Sequence, residues 1–439
     1  MGINQNIKPI TIKREGNIRI GGCDLTALAA KYKTPLYVID EKSIRQICKE
    51  YKSAFQGYEN IKMLFASKAL CNLAIVKILQ QEGFGFDTVS GGEIYTVNKA
   101  GVNMSKVIFN GNNKGIDEIE LALDLNVGRF SVDNFYEAEI LNNISKKKNK
   151  KTEILIRITP GIECHTHDYI KTGQTDSKFG FDLSQVDEII SLILTKYKNL
   201  ELKGLHAHIG SQIFELESYR DEIEILIKEL VRINSKFNLK LNELNIGGGL
   251  GVKYTAGDLP PSIQEFGQTI ISTLKESCKK YGIELPMIYI EPGRSIVSTA
   301  GVTLYTVGSV KQVPNGRKYI SVDGGMADNP RPITYNAEYY AEIANNTDGR
   351  STETVTVAGK FCESGVILIK DIELHSPVPG DILCVYNTGA YNFSMASNYN
   401  KAEKLAMVLV NNSQSDIIVN RESHEDLIRL ETIPDRLRK

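Results

Sequence analysis

The chain has 439 residues, with 52 Lys or Arg against 53 Asp or Glu, so its formal net charge is −1. This balance gives no bulk attraction to nucleic acid or to an anionic membrane, and it favours a small-molecule partner. The seven cysteines are irregularly spaced and include no CxxC pair, which argues against a disulfide framework and a zinc ribbon. No signal-peptide core and no run of about 18 apolar residues occurs, so we expect a cytoplasmic protein with reduced thiols and no membrane segment.

The first predicted elements are strands in the segment ITIKREGNIRIGGCDL, and we expect residues 1–37 to join a β-domain near the other end of the chain. From about residue 60, short apolar segments typical of strands alternate with amphipathic segments such as 70–82 and 219–233. The predicted strands are 61–65, 85–87, 107–110, 129–132, 154–158, 203–207, 243–246 and 287–290. Strict alternation of strand and helix predicts a parallel sheet, and eight such units fit a (β/α)8 TIM-like barrel over residues 38–291. An open doubly wound sheet is the alternative, although it rarely needs eight units.

Beyond residue 293 the pattern changes to short segments rich in Val, Ile, Thr and Tyr that are separated by turns. These segments are 301–313, 317–322, 353–358 and 382–385. Their composition is typical of antiparallel strands, so we predict an α/β chain whose residues 292–439 form a C-terminal antiparallel β-domain.

Polar side chains stand at the carboxyl ends of most of the predicted barrel strands, where core positions are normally apolar. They are Lys68, Asp87, Asn110, Asp133, His165, His167, His208 and Glu291. Active sites of β/α barrels lie at this face, so the pattern predicts a functional rim.

The loops after the seventh and eighth strands read GGGLG and EPGR. Glycines without side chains let backbone N–H groups approach an anion, and Arg294 adds a fixed positive charge. Barrels commonly bind phosphate at these two loops. A phosphate-bearing ligand is therefore favoured over glycines that serve only a tight turn.

Lys68 follows an apolar strand in the sequence MLFASKAL, and we expect its amine to lie partly desolvated in the barrel mouth as a usable nucleophile. Together with a phosphate site at the same mouth, this lysine indicates covalent attachment of pyridoxal 5′-phosphate (PLP). Glu291 could then face the pyridine nitrogen and keep it protonated, and His208 could stack on the ring. The pattern thus points to a PLP enzyme acting on an amino acid.

Several ordered motifs match one family over almost the full length. They are FASKAL, GFGFDTVSGGE, RITPGIECHTHDYIKTGQTDSKFGF, GLHAHIGSQ, NIGGGLG, EPGRSIV, CESGV and NTGAYNFSMASNYN. On these motifs the chain resembles the diaminopimelate decarboxylases, a family of the alanine-racemase-like, fold-type III PLP enzymes.

The resemblance implies a role for each matching position. Catalytic roles would fall to Lys68, which carries PLP, to His208, and to Cys362 as the proton donor. Cofactor contacts would come from Lys68, Asp87, His208, Ser211, Gly248, Gly249, Glu291, Gly293, Arg294 and Tyr391. Substrate contacts would come from Arg294, Arg331, Tyr335, Glu363 and Tyr391.

The same resemblance implies decarboxylation of meso-2,6-diaminoheptanedioate (meso-diaminopimelate) to L-lysine and CO2, the last step of lysine biosynthesis. It also implies a homodimer, in which Cys362 and Glu363 reach the site of the neighbouring subunit. No metal is expected. Three local departures from the family pattern are Asn392 in place of a glycine, Val366 in place of an acidic residue, and KAEKLAMVLV in place of an Arg-Pro-rich stretch.

Three other interpretations stay open. An ornithine, lysine or arginine decarboxylase would have no distal carboxylate to bind and would not need Arg331. A non-catalytic PLP-binding protein of the same superfamily would generally lack the β-domain. A metal-dependent barrel hydrolase could use Cys164, His165, His167, His206 and His208, but this leaves GGG and EPGR unexplained.

Overall fold

A computed structural model describes residues 5–6, 8–9, 11–14, 16–162, 177–345, 347–363, 365 and 367–438. The chain divides into two compact units. The first comprises Met1–Asn6, Ile44–Lys253 and Gly257–Val297, and the second comprises Ile7–Ser43, Tyr254–Ala256 and Ser298–Lys439.

The described strands are β1 (Thr11–Arg14), β2 (Asn17–Ile20), β3 (Cys23–Asp24), β4 (Leu36–Asp40), β5 (Ile61–Ala66), β6 (Gly85–Thr88), β7 (Val107–Phe109), β8 (Arg129–Val132), β9 (Thr152–Thr159), β10 (Phe181–Asp182), β11 (Leu200–His206), β12 (Glu243–Asn245), β13 (Met287–Ile290), β14 (Gly301–Gln312), β15 (Lys318–Val322), β16 (Ala341–Ile343), β17 (Thr352–Ala358), β18 (Ile367–His375), β19 (Ile382–Tyr386), β20 (Ala406–Asn411) and β21 (Gln414–Val419).

The described α-helices are α1 (Leu25–Tyr32), α2 (Glu41–Ala54), α3 (Leu73–Gln81), α4 (Gly91–Lys99), α5 (Ile116–Asp124), α6 (Phe135–Lys147), α7 (Val186–Thr195), α8 (Glu217–Phe237), α9 (Ile263–Tyr281), α10 (Arg294–Val297), α11 (Arg331–Tyr335) and α12 (His424–Ile428). Within the described ranges, no helix combines the length and the apolar character that crossing a bilayer requires.

The first unit is a closed barrel of eight parallel strands. Their order is β5, β6, β7, β8, β9, β11, β12 and β13, and β13 pairs back onto β5. Strands β6, β7 and β12 are buried over their whole length, as expected for parallel strands whose faces are both covered. The prediction of a (β/α)8 barrel is confirmed, and each predicted strand has its counterpart.

Polar caps turn the chain from strand ends into helices. Asn72, Ser90 and Asn134 precede α3, α4 and α6, and each side chain accepts a hydrogen bond from the backbone N–H three residues on. A side-chain acceptor at this position satisfies an N–H group that the helix leaves unpaired. These short turns fix the residues that follow each strand at the carboxyl face of the barrel.

The second unit contains a large sheet in the order β18, β17, β15, β14, β4, β20 and β21, with β16 and β19 joined to β14 through β19. Its core includes Val38, Val302, Leu304, Cys384 and Val408. Strands β1, β2 and β3 form a separate antiparallel sheet in the same unit. The N-terminal segment therefore belongs with the β-domain, as predicted.

This sheet is mixed rather than wholly antiparallel. Most pairs are antiparallel, but β4 pairs with β20 and β15 pairs with β17 in parallel. Parallel neighbours need a long connection between them, and the whole barrel lies between β4 and β20 in the sequence. No local pattern in either strand could have revealed this pairing.

Candidate active site

Glu291 is the centre of a buried polar network at the carboxyl face of the barrel. Its Oε1 accepts hydrogen bonds from Asn245 Nδ2 at 2.6 Å and from Asn110 Nδ2 at 3.1 Å. The Asn110 amide also donates to Asp87 Oδ1 at 2.6 Å, so one amide joins two carboxyl groups. Burial, with the nearby Asp87 carboxylate, raises the pKa of Glu291.

Lys68 lies in a single 3-10 turn, Ser67–Ala69, directly after β5. Its neighbours Ser67 and Ala69 are buried, whereas Lys68 is exposed. The turn stops the strand and directs the side chain outward into the mouth. Burial raises the pKa of Asp87, and the positive charge of Lys68 opposes that rise. Lys68 thus acts electrostatically on the Asp87 end of the network.

His206 is the last residue of β11, and His208 lies two residues beyond it. Ser131 Oγ lies 2.6 Å from His206 Nδ1, and His206 Nε2 lies 3.8 Å from Glu291 Oε2. His208 Nδ1 accepts a hydrogen bond from the backbone N–H of Gly248 at 3.3 Å, so this nitrogen carries no proton. Desolvation lowers the pKa of both histidines far below the usual range, and the positive charges of Arg157 and Lys68 lower it further. Both imidazoles are therefore neutral at pH 7.

The glycine loop after β12 leaves no space for side chains. A Cβ on Gly248 would lie 2.1 Å from the backbone oxygen of Glu291, and one on Gly249 would lie 2.5 Å from the backbone oxygen of Gly210. Gly249 also has a φ of +109°, a conformation that L side chains rarely adopt. The loop is tied to Glu291 through Asn245, whose Oδ1 accepts from the N–H of Gly247 at 2.9 Å.

Arg294 and Ser211 meet beside this loop. Arg294 is the first residue of α10 and is buried, and its Nη2 donates to Ser211 Oγ at 3.0 Å. Gly293 just before it is closely packed, because a Cβ there would lie 2.9 Å from Ala66 Cβ. The loops after β11, β12 and β13 therefore come together as a compact group of glycines, a hydroxyl and a guanidinium. Such a group is suited to a phosphate dianion.

In the second unit, Arg331 is buried among tyrosines. Its Nη1 donates to Tyr254 Oη at 2.9 Å and to Tyr339 Oη at 2.8 Å. Its Cζ lies 5.1, 5.8 and 5.9 Å from the ring centroids of Tyr254, Tyr339 and Tyr391. Within the described ranges no carboxylate pairs with Arg331, so its charge is held by neutral hydroxyls and ring faces.

The two predicted tyrosines of this unit differ in setting. Tyr335 ends α11, four residues after Arg331, and is half-buried. Tyr391 is also half-buried and has a φ of +68°, which is uncommon for an aromatic residue and is found most often at functional sites. The segment NTGAYNF thus holds an aromatic ring beside Arg331 in a strained backbone conformation.

Cys362 and Glu363 lie on the surface of the second unit. Both side chains are exposed, and Tyr399 donates its hydroxyl to Glu363 Oε1. Among the described cysteines, which are all free thiols, Cys362 is the exposed one. The segment CESG is therefore presented to the exterior of the unit that carries it.

Sequence reasoning missed four residues that the structure places in these networks. Asn245 ends β12, but the predicted strand ran over residues 243–246 and therefore placed Asn245 in its interior. Arg157 lies in the middle of an apolar strand, where it contacts Asp133 at 3.7 Å and the Phe179 ring at 4.3 Å. Tyr254 and Tyr339 carry no motif, since only their contact with Arg331 singles them out.

The alternative metal site has no support in the described part of the chain. Cys164, His165 and His167 lie outside the described residues. Elsewhere in the described ranges, no group of three or more His, Cys, Asp or Glu side chains is arranged to hold a metal ion.

Comparison with known proteins adds a family to this geometry. Residues 41–298 match the family described as "Pyridoxal-dependent decarboxylase, pyridoxal binding domain". The chain is 47% identical to the diaminopimelate decarboxylase of Synechocystis sp., over 99% of this chain and 94% of the relative. It is 45% identical to that of Bacillus subtilis, over 95% and 96% of the two chains. The chain belongs to the diaminopimelate decarboxylase family.

A solved structure of a family member has the same fold. The diaminopimelate decarboxylase of M. jannaschii in co-complex with L-lysine is 33% identical, with a TM-score of 0.92 and 100% coverage of both chains. Such agreement over the full length places both units of this chain within the family architecture.

The cofactor of the family is pyridoxal phosphate, and the described residues fit it. The glycine loop carries no side chain that could block an anion, and the Ser211 hydroxyl and the Arg294 guanidinium meet beside it. The Glu291 carboxylate is fixed by two amides, which leaves Oε2 for a ring nitrogen. This donor set combines a phosphate cradle with a carboxylate for a pyridine, which is the combination that PLP requires.

Proposed function

We propose that the chain decarboxylates meso-diaminopimelate to L-lysine and CO2, with PLP as cofactor, as the last step of lysine biosynthesis. The observation that carries this proposal is its identity of 47% to a diaminopimelate decarboxylase over 99% of the chain. The buried polar network around Glu291, and Arg331 with no described carboxylate beside it, fit the chemistry that the reaction needs.

The residues proposed to bind the cofactor are among those predicted from the sequence. Lys68 would carry it covalently, and Gly248, Gly249, Gly293, Ser211 and Arg294 would hold the phosphate. Glu291 would face the pyridine nitrogen, and Asp87 would act on Glu291 through the shared amide of Asn110. His208, kept neutral by desolvation, would stack on the ring without repelling a protonated pyridine. When bound, PLP supplies an electron sink for the electron pair that the departing carboxylate leaves behind.

Substrate selection follows from the two ends of diaminopimelate, each of which carries an ammonium and a carboxylate. Arg331, with Tyr335, Tyr391 and Arg294, is proposed for the distal carboxylate, and Glu363 for the distal ammonium. A guanidinium that no acid neutralises keeps its full charge for an incoming anion. Ornithine and lysine as substrates have no distal carboxylate, so Arg331 favours diaminopimelate over other basic amino acids.

Cys362 is proposed as the proton donor of the reaction. Loss of CO2 breaks one carbon–carbon bond, and a proton must reach the same carbon to complete the lysine product. The thiol of Cys362 would deliver this proton and regain one from solvent, to which its side chain is exposed.

A homodimer is proposed because Cys362 and Glu363 are exposed on their own unit. The carboxyl face of the barrel also exposes apolar side chains at the first turns of its helices, with exposures of 55% for Leu73, 54% for Ile116 and 68% for Tyr136. A second copy covering these residues would bury apolar surface. The proposal is therefore that a neighbouring subunit supplies Cys362 and Glu363, and that the enzyme works in the cytoplasm.

The function is tested by assaying the purified protein with PLP on meso-diaminopimelate, L-lysine, L-ornithine and L-arginine side by side. We expect CO2 release from meso-diaminopimelate alone, and loss of at least about four orders of magnitude in rate for Lys68→Ala, since covalent catalysis is removed. Release of CO2 from ornithine, lysine or arginine at a comparable rate would contradict the proposed substrate. A protein that binds PLP but releases no CO2 from any of the four would contradict the proposed reaction.

A further inference from the structure

Two tyrosine hydroxyls accept hydrogen bonds from one nitrogen, Nη1, of the Arg331 guanidinium. Both donor hydrogens of Nη1 are accounted for by Tyr254 Oη at 2.9 Å and Tyr339 Oη at 2.8 Å. Among the described residues, neither Nε nor Nη2 has a hydrogen-bond acceptor. The edge formed by Nε and Nη2 is the one that can hold a carboxylate with two parallel hydrogen bonds.

The hydroxyl groups of both tyrosines are themselves oriented by further partners. Ser298 Oγ donates to Tyr254 Oη at 3.0 Å, and Tyr339 Oη donates to Asn392 Oδ1 at 3.3 Å. Because Tyr339 gives its proton to Asn392, its oxygen lone pairs face Arg331. Asn392 is fully buried, so its amide oxygen is held in place as the acceptor.

The tyrosine rings also restrict rotation of the Arg331 guanidinium. Tyr254 and Tyr339 pack edge to face with centroids 5.6 Å apart and an interplanar angle of 90°. Arg331 is 7% exposed, Tyr254 is 6% exposed and Tyr339 is 4% exposed, so the side chains have little room to rotate. A buried arginine that can turn would lose much of its preference for a planar, two-point acceptor.

We propose that Tyr254 and Tyr339 are positioning residues for substrate specificity, which orient Arg331 so that its Nε and Nη2 edge binds the distal carboxylate of the substrate. The inference rests on the proposed function and deepens it. Two residues outside the sequence motifs would thus determine which edge of the guanidinium binds the carboxylate. Neither tyrosine is proposed to touch the reacting carbon.

The test uses the holoenzyme with Tyr254→Phe, Tyr339→Phe and the double variant. Loss of hydrogen bonds to a charged group should raise KM for meso-diaminopimelate by about tenfold to a hundredfold in the double variant, with kcat lowered by less than about threefold. Inhibition by L-lysine, which keeps the distal carboxylate, should weaken by a similar factor. Inhibition by cadaverine, which has no carboxylate, should stay unchanged.

The matched control is Tyr386→Phe, which removes another buried hydroxyl of the same unit, one that donates to Glu342 at 2.8 Å. It should leave KM and L-lysine inhibition at wild-type values. If the double variant does not fold, the same measurements on the two single variants test the proposal. An unchanged KM in folded variants, or equal weakening of L-lysine and cadaverine, would overturn the proposal. A wild-type enzyme inactive on meso-diaminopimelate would instead refute the proposed function. In that case binding is measured by calorimetry, and a loss of L-lysine affinity without a loss of cadaverine affinity in the variants would still support the orienting role.

Discussion

At the scale of single residues, the site depends on groups whose charge state is set by their neighbours. Glu291 could be singled out from the sequence because an acid at a strand end has no reason to be in an apolar core. Asn110 could be singled out in the same way, but the hydrogen bonds of Asn110 and Asn245 to Glu291 form only when β7, β12 and β13 close into one barrel. The type of residue was therefore predictable, and the hydrogen-bond network was not.

The exposure of Lys68 is a second property that the local sequence did not predict. An apolar strand predicts that the residues within it are buried, but the 3-10 turn after β5 ends that strand and turns the lysine outward. Desolvation raises the pKa of Asp87 and Glu291 and lowers the pKa of His206.

A pH dependence of stability follows from His206, which is 1% exposed. Burial, with the charge of Arg157, lowers the pKa of His206 well below its usual 6.5, so the unfolded chain binds a proton at pH values where the folded chain does not. The free energy of unfolding should therefore fall as pH falls below about 6.5, with this residue contributing about 1.4 kcal/mol per pH unit.

The measurement compares wild type with His206→Gln by urea unfolding at several pH values. The variant should lack that contribution, so that the difference in unfolding free energy between the two proteins changes by about 1.4 kcal/mol per unit below pH 6.5. Ionisable groups that do not contact His206 are shared by both proteins, so their contributions cancel in the difference. Parallel curves would contradict a neutral, buried His206.

At the scale of elements, the barrel strands could be located because fully buried parallel strands are short apolar segments bounded by polar residues. Their ends then give the position of the site without further information. The large sheet of the second unit is different, since the parallel pairing of Leu36 with Ala406 joins residues at opposite ends of the chain. Local composition predicts strands there, but the choice of neighbour depends on contacts that no local pattern encodes.

The glycine loop after β12 makes a prediction at this scale. In Gly248→Ala the new Cβ would lie 2.1 Å from the Glu291 backbone oxygen, so the loop would have to move away. Overpacking of this kind costs about 1–3 kcal/mol, and we expect the affinity of the apoprotein for PLP to fall by about tenfold or more.

The affinity is measured by titrating apoprotein with PLP and following absorbance. Gly92→Ala is the matched control, because a Cβ there would meet only Ser90 Oγ, at 3.8 Å, and its PLP affinity should equal that of wild type. Equal affinities for Gly248→Ala and wild type would show that this loop does not hold the phosphate.

At the scale of the whole molecule, the proposed dimer divides the catalytic residues between two chains. Mixing Lys68→Ala with Glu363→Ala should form mixed dimers in which one of the two sites is intact, since both defects fall in the other site. Random exchange between equal amounts of the two variants should restore about a quarter of wild-type activity.

The control mixture is Lys68→Ala with Glu291→Ala, because both residues belong to the same barrel and no exchange can bring them together in an intact site. Exchange is followed by native mass spectrometry with one variant tagged. Verified mixed dimers without any recovered activity would argue against a shared site, and recovery in the control mixture would argue against the assignment of Glu291.

The central claim is that the chain removes one carboxylate of meso-diaminopimelate and releases L-lysine. The most direct measurement supplies the PLP-loaded enzyme with meso-diaminopimelate labelled with carbon-13 at both carboxyl groups, and follows the products by NMR. The account predicts labelled CO2 and lysine in equal amounts, with every lysine molecule still labelled at its remaining carboxylate. No labelled CO2, or labelled CO2 without an equal amount of lysine, would contradict it.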